Sequence, residues 1–199
     1  MDDQRDIIDK LSAAHPWPEN KPDLPFSESG WFPACNQDLL RRFIGENSKV
    51  IVEMGAWVGL STRWIADNAP GAKVITIDHW KGSPENSSDP LVPILYEQFT
   101  SNCWGHKDRI IPVRSTTTQG IEELRKLGVR PDVIYVDAGH DYDSVCQDLK
   151  ICMEFDCPLV GDDFNPNSWP GVVQAVWEEA NNWHRELRVK GSAWALTKE

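Results

Sequence analysis

The chain of 199 residues carries 31 acidic and 20 basic residues, a net charge of −11, which argues against a nucleic-acid partner because phosphate binding needs a positive face. With 40% hydrophobic and 26% charged residues it has the composition of a globular domain with a real core, and no apolar run is long enough for a membrane span. Its five cysteines include no C-x-x-C pair, so zinc or redox chemistry is not indicated, and the acidic N-terminus lacks the apolar region of a secretion signal, making the cytoplasm the expected location.

Residues 1–46 differ in texture from the rest. Pro16, Pro18, Pro22, Pro25 and Pro33 argue against long regular elements in the early part, and Leu39, Leu40, Phe43 and Ile44 then recur at helical spacing. The expectation is an N-terminal arm, or lid, followed by a packing helix, with residues 47–199 forming the main domain. From Lys49 onward strands and helices alternate. KVIVEMG reads as a first buried strand, and LSTRWIADNAP as a helix with Ser61 or Thr62 as its cap. AKVITIDHW is a second strand. RIIPVRSTT is a third, and its Pro112 suits a sheet edge. TQGIEELRKLG is a helix, PDVIYVDAGH a fourth strand, and DYDSVCQDLKICMEF a helix burying Val145, Leu149 and Cys152. CPLVGDDF is a fifth strand. PGVVQAVWEEANNW is a helix with Val173, Val176, Trp177 and Ala180 on one side, and ELRVKGSAWALTK reads as a hairpin. Most of the ten tryptophans are expected in the core, while Trp31, Trp57, Trp80 and Trp169 fall in loops. This alternation predicts an α/β fold: a doubly wound, Rossmann-like, mostly parallel sheet with helices on both faces and ligands outside the carboxyl ends of its strands.

Those strand ends carry the chemistry. Glu53, Gly55, Gly59 and Ser61 follow the first strand; the G-x-x-x-G spacing fits a ligand loop or a plain strand-to-helix turn. Asp78 ends the second strand, where a carboxylate accepts hydrogen bonds from ribose hydroxyls. Ser115, after the third, is a ligand contact or a turn former. Asp137 ends the fourth strand and His140 follows it; Asp162 and Asp163 follow the fifth. Convergence of three carboxylates calls for a cation, and oxygen donors favour Mg²⁺ over zinc, unless one aspartate caps a helix and the other faces water. His140 is a general base by its near-neutral titration, or a histidine packed on Tyr142.

These stretches resemble the class I S-adenosylmethionine (SAM)-dependent methyltransferases, in the group of macrocin-type O-methyltransferases and cephalosporin-hydroxylase-like proteins. VEMGAWVGLST, ITIDHWKGS, IYVDAGHDYDSVCQDL, VGDDFN and WPGVVQAV carry the resemblance. It implies seven strands with the last inserted antiparallel. It implies a loop of Glu53, Gly55, Ala56, Gly59 and Ser61 around the amino-acid part of SAM, Asp78 on the ribose, and His79 and Trp80 beside the adenosine. It also implies Mg²⁺ on Asp137, Asp162 and Asp163, and His140 where catechol-type relatives place a lysine base. The expected activity is metal-assisted O-methylation of a small-molecule hydroxyl, with Trp31 and Phe32 in a lid. An arm exchanged between subunits would make a homo-oligomer. The alternatives are a SAM- or nucleoside-binding protein without turnover, and an NAD-type oxidoreductase, against which the glycine spacing and carboxylate trio argue. A non-haem iron hydroxylase would need a second histidine beside His140.

Overall fold

The computed structural model describes residues 4–198. Its centre is a seven-stranded sheet in the order β3-β2-β1-β4-β5-β7-β6, built from β1 (Val50–Met54), β2 (Lys73–Asp78), β3 (Ile110–Arg114), β4 (Val133–Val136), β5 (Leu159–Gly161), β6 (Arg185–Lys190) and β7 (Ala193–Lys198). The pairs from β3 through β5 are parallel, and β7 pairs antiparallel with both β5 and β6. β1 and β4 are buried along their whole length, as unbroken β-branched runs require when helices cover both faces. Among these pairings β3 has β2 as its neighbour, so Pro112 sits on an edge strand that tolerates its missing N–H.

Helices divide between the faces. α1 (Gln4–Ala14), α5 (Thr117–Leu127), α6 (Tyr142–Cys152) and α7 (Pro170–Asn182) supply one core, with Ile7, Ile121, Leu149 and Val176 among its members. α2 (Ala34–Leu40), α3 (Leu60–Asn68) and α4 (Leu95–Cys103) supply the other, around Leu40, Ile65 and Phe99. No helix among the described residues is long and apolar enough to cross a membrane.

Several sequence expectations are corrected. The early segment does contain a regular element: α1 completes three turns before the prolines begin and buries Ile7, Ile8 and Leu11. The chain then rounds the β3 edge, where Trp17 donates Nε1–H to the Ile110 carbonyl (2.8 Å) and stacks on Phe99. Residues 24–27 run along α4, which reading the chain alone did not identify. There Ser101 and Gln98 donate to the Leu24 and Pro25 carbonyls, and Asn102 exchanges bonds with the Ser27 backbone while also holding the Val58 carbonyl. Ser61 and Thr62 do not cap α3; Gly59 stands at the cap with φ 85°. On α7 the buried stripe runs through Val172, Ala175, Val176, Glu179 and Ala180, which rotates Trp177 outward to 60% exposure. The tryptophans divide: Trp80 and Trp194 are buried, Trp17, Trp57, Trp64 and Trp169 pack half-buried against the cores, and Trp31, Trp177 and Trp183 are exposed. The cysteines are free, and burial pushes the Cys103, Cys152 and Cys157 thiols upward, consistent with inert packing.

Ser61 and Thr62 instead turn inward. Both hydroxyls donate to the fully buried Glu53 carboxylate, at 2.6 and 2.5 Å, and Thr76 adds a third bond at 2.7 Å from the next strand. Glu53 thereby ties β1 to β2 and to the first turn of α3. Burial outweighs these three bonds and pushes its pKa up to about 7. At the far end of the sheet, Trp194 of β7 lies across Gly161 of β5 and donates Nε1–H to the Asp162 carbonyl (2.8 Å).

Two outcomes follow from this packing. A Cβ on Gly161 would sit 2.3 Å from the Trp194 ring and 2.6 Å from the Val136 carbonyl, whereas one on Gly105 meets nothing within 4 Å. Gly161→Ala should therefore cost about 2–3 kcal/mol, lowering Tm by roughly 5–10 °C, while Gly105→Ala leaves thermal denaturation essentially unchanged. Glu53 retains a proton in the folded state that the unfolded chain releases above its ordinary carboxylate range. Its stabilising increment is present at acid pH and fades as pH rises toward and through 7. Urea unfolding of the parent should lose about 3 kcal/mol between pH 4.5 and 8 relative to Glu53→Gln; parallel profiles for the two proteins would contradict the assignment.

Candidate functional site

Five strand ends open into one cleft of about 1180 Å³. Its first wall is the turn after β1. Gly55 has φ 86°, and a Cβ there would lie 1.8 Å from the Asp137 carbonyl, so only glycine lets the turn pass over the end of β4. The turn is locked by Asp78: one carboxylate oxygen accepts from the Ala56 and Trp57 amides (2.9 and 3.1 Å), and the other from the Trp80 amide (2.6 Å). Trp57 and Trp80 both adopt left-handed φ, 48° and 49°, and the Trp80 indole donates to the Trp57 carbonyl at 2.9 Å. The arm joins this wall through the Trp57 indole, which donates to Ser29 Oγ (3.2 Å) and packs against Trp31.

The second wall is acidic. Asp137 accepts from the Tyr135 hydroxyl at 3.1 Å; burial, reinforced by Asp162 and Asp163, drives its carboxyl well above the usual range. The adjacent aspartates diverge. Asp162 accepts from Ser192 Oγ at 2.5 Å, and Asp163, with φ 66°, pairs with His140 Nε2 at 2.9 Å. Burial alone would lower the His140 pKa, but the bond to Asp163 and its charge, with Glu85 and Asp162 behind them, raise it. The Trp169 ring stacks on the imidazole, with centroids 4.0 Å apart and planes inclined by 25°.

Donor atoms of Asp137, His140 and Asp163 lie within 4.8 Å of one another, a spacing that fits a single cation. The expected oxygen set of Asp137, Asp162 and Asp163 is thus altered: Asp162 has one oxygen committed to Ser192, and a histidine joins the cluster.

Of the residues singled out in the sequence, Gly55, Ala56, Ser61, Asp78, His79, Asp137, His140, Asp162 and Asp163 line the cleft. Glu53, Gly59, Trp80 and Ser115 do not. Glu53 lies beneath the turn; Gly59 packs on α4, where a Cβ would meet Cys103 Sγ at 2.3 Å; Trp80 is buried against Tyr96 and Phe99. Ser115 bonds back to the Thr116 carbonyl, and Thr116 to Thr118 reach the cleft in its place. Thr117 and Thr118 donate to Asp148 at 2.6 and 2.8 Å, and burial raises that carboxyl as well. Asp148, Glu85 and the His140–Trp169 stack escaped notice in the sequence, since nothing local marks residues that meet only across elements.

Comparison with solved structures shows the same fold in methyltransferases. An O-methyltransferase from Bacillus cereus in complex with SAH is 17% identical, with 100% of this chain and 92% of that one aligned and a TM-score of 0.56. A precorrin-6y C5,15-methyltransferase from Geobacter metallireducens is 8% identical over 89% and 95% of the two chains, with a TM-score of 0.64. A cofactor-bound protein from MTB is 17% identical over 100% and 91%, with a TM-score of 0.65. No curated protein sequence matches the chain. Residues 52–164, more than half of the chain and the span that holds the glycine turn, Asp78, Asp137, His140 and both adjacent aspartates, match the family described as "Methyltransferase domain", and the chain belongs to that family.

Proposed function

We propose that the protein transfers the methyl group of SAM to a hydroxyl of a small molecule, with a divalent cation assisting. The observation that carries this reading is the meeting, in one cleft, of the Asp78-locked glycine turn and the Asp137–His140–Asp163 cluster. Support also comes from the fold shared with an SAH-bound O-methyltransferase, although other structures of the same fold are described as acting on precorrin or rRNA.

When bound, SAM would supply an activated methyl on a sulfonium. The chain's own part is positioning. Gly55 brings backbone close to the ligand, Asp78 presents carboxylate lone pairs at the end of β2, and His79 and Thr116 to Thr118 line the adjoining surface. Asp137 and Asp163 would hold the cation, which would supply polarisation of a hydroxyl and a lower pKa for it. With Nε2 engaged by Asp163, His140 has Nδ1 left to accept the hydroxyl proton, and the Asp163 carboxylate stabilises the imidazolium that results. Trp169 fixes the ring plane, while Trp31 and Phe32 border the cleft and limit water. A second reading, proton transfer to His140 without a metal, is favoured by the completeness of the His140–Asp163 pair.

Calorimetric titration tests both levels. SAM and SAH should bind, and Asp78→Ala should weaken SAH by roughly tenfold or more, with circular dichroism confirming the fold. Absence of SAM and SAH binding to the parent protein would overturn the methyltransferase reading. Mn²⁺ titrated into EDTA-treated protein should bind and be lost in Asp163→Ala while SAH binding persists. Equal Mn²⁺ binding by parent and variant, or none by either, would move the metal-free reading forward.

A further inference from the structure

The cleft is built for one sign of charge. Seven carboxylates line it, and no lysine or arginine does among the described residues. Five of the seven have evident work or have lost much of their charge. Asp78 accepts three backbone amides, Asp162 and Asp163 hold Ser192 and His140, and burial pushes Asp137 and Asp148 toward the protonated form. A cofactor with one net positive charge and a divalent ion would find their partners among these five.

Glu85 and Asp141 are different. Both line the cleft outside the Asp137–His140–Asp163 cluster, and Asp141 accepts the Ser144 amide at 3.0 Å. They come from separate elements, a 3₁₀ turn at Pro84–Asn86 and the N-cap of α6, and both border the same cleft. Gly82, with φ 73°, lets this turn pass close to Val92, and Asn86 bonds back to Ser83 within it. Two of the helix N-termini that border the cleft carry side-chain caps, while those of α3 and α7 carry none. The N-terminus of α6 is capped by Asp141 itself, and that of α5 by Thr116. The same cleft offers rings: the Trp31 indole, 65% exposed, packs at a tilt against Trp57, whose indole donates to Ser29. Exposed indole faces next to carboxylates attract cations and repel anions.

We propose that the methyl acceptor is a cation, a hydroxyl compound bearing a protonated amine, recognised by Glu85 and Asp141 together with the Trp31 face. This deepens the methyltransferase reading and rests on it. The same charges would disfavour phosphorylated, carboxylated and nucleotide-linked acceptors.

The test uses SAH-loaded protein, so that SAH binding is established before any acceptor is added. If SAH fails to bind, the methyltransferase reading has failed, whatever the acceptor's charge. Three matched probes with vicinal hydroxyls are then titrated at low salt: dopamine, 4-methylcatechol and 3,4-dihydroxyphenylacetate. Dopamine should bind about tenfold or more tightly than the acid, with the neutral catechol between them and the gap narrowing as salt is added. In the double variant Glu85→Gln/Asp141→Asn, which keeps a competent N-cap on α6, the ordering should collapse. Trp31→Ala should weaken dopamine by fivefold or more and leave SAH affinity within threefold. Equal or tighter binding of the acid, no dopamine binding, or an ordering that survives the double variant would overturn the proposal.

Discussion

The carboxylate of Asp78 is the interaction on which the architecture of the cleft depends. It accepts two amides of the turn after β1 and one amide of its own continuation, so a single charge holds together two loops from neighbouring strands. Charge-assisted bonds of this kind are roughly twice as strong as neutral ones. They sustain two tryptophans in left-handed backbone, a conformation costly for bulky residues. Because Trp57 belongs to this turn, its indole can reach Ser29, and because Val58 follows it, Asn102 can bind the turn and the arm at once. The position of the N-terminal segment over the cleft is therefore set from the second strand, 22 residues of chain away from the amide that Asp78 holds.

The second wall answers to a different constraint, the antiparallel insertion of β7 beside β5. Trp194 spans Gly161 and anchors the Asp162 carbonyl, and Ser192, in the same hairpin, takes the Asp162 carboxylate. One of two adjacent like charges is thus withdrawn into the packing of the hairpin. The left-handed turn at Asp163 sends the other toward His140. A pair of aspartates that would repel when parallel is tolerated because each has a separate partner.

Much of this was legible in the sequence, and for a definable reason. Buried parallel strands are continuous runs such as KVIVEM and DVIYV, and the residues at their carboxyl ends are fixed in place once the alternation is seen. Hence Gly55, Asp78, Asp137, His140 and Asp163 were found together. Local rules failed where tertiary partners decide. Ser61 and Thr62 have the chemistry of caps, but a buried Glu53 between two strands claims their hydroxyls. Gly59 and Trp80 look like ligand residues by position and are packing residues by contact. α1 hid behind the prolines that follow it, and α4 behind the proline- and serine-rich lead-in that precedes it. The tryptophans misled because composition says how many large rings exist and not which face of a helix carries them.

Net charge acquires a location through the fold. A sequence with eleven surplus negative charges need only be soluble and averse to nucleic acid. Here seven carboxylates converge on the carboxyl end of the sheet. A low-dielectric wall concentrates their field in the cleft. Inside such a field, the burial that would otherwise keep His140 neutral is overcome by its acidic neighbours, while burial above all moves Asp137 and Asp148 toward the protonated form. Acids and base shift in the same, upward direction, because negative neighbours favour the proton-bound form of each and burial adds to the shift of the carboxyls. An anionic acceptor would add to that excess of negative charge and a cationic one would offset it.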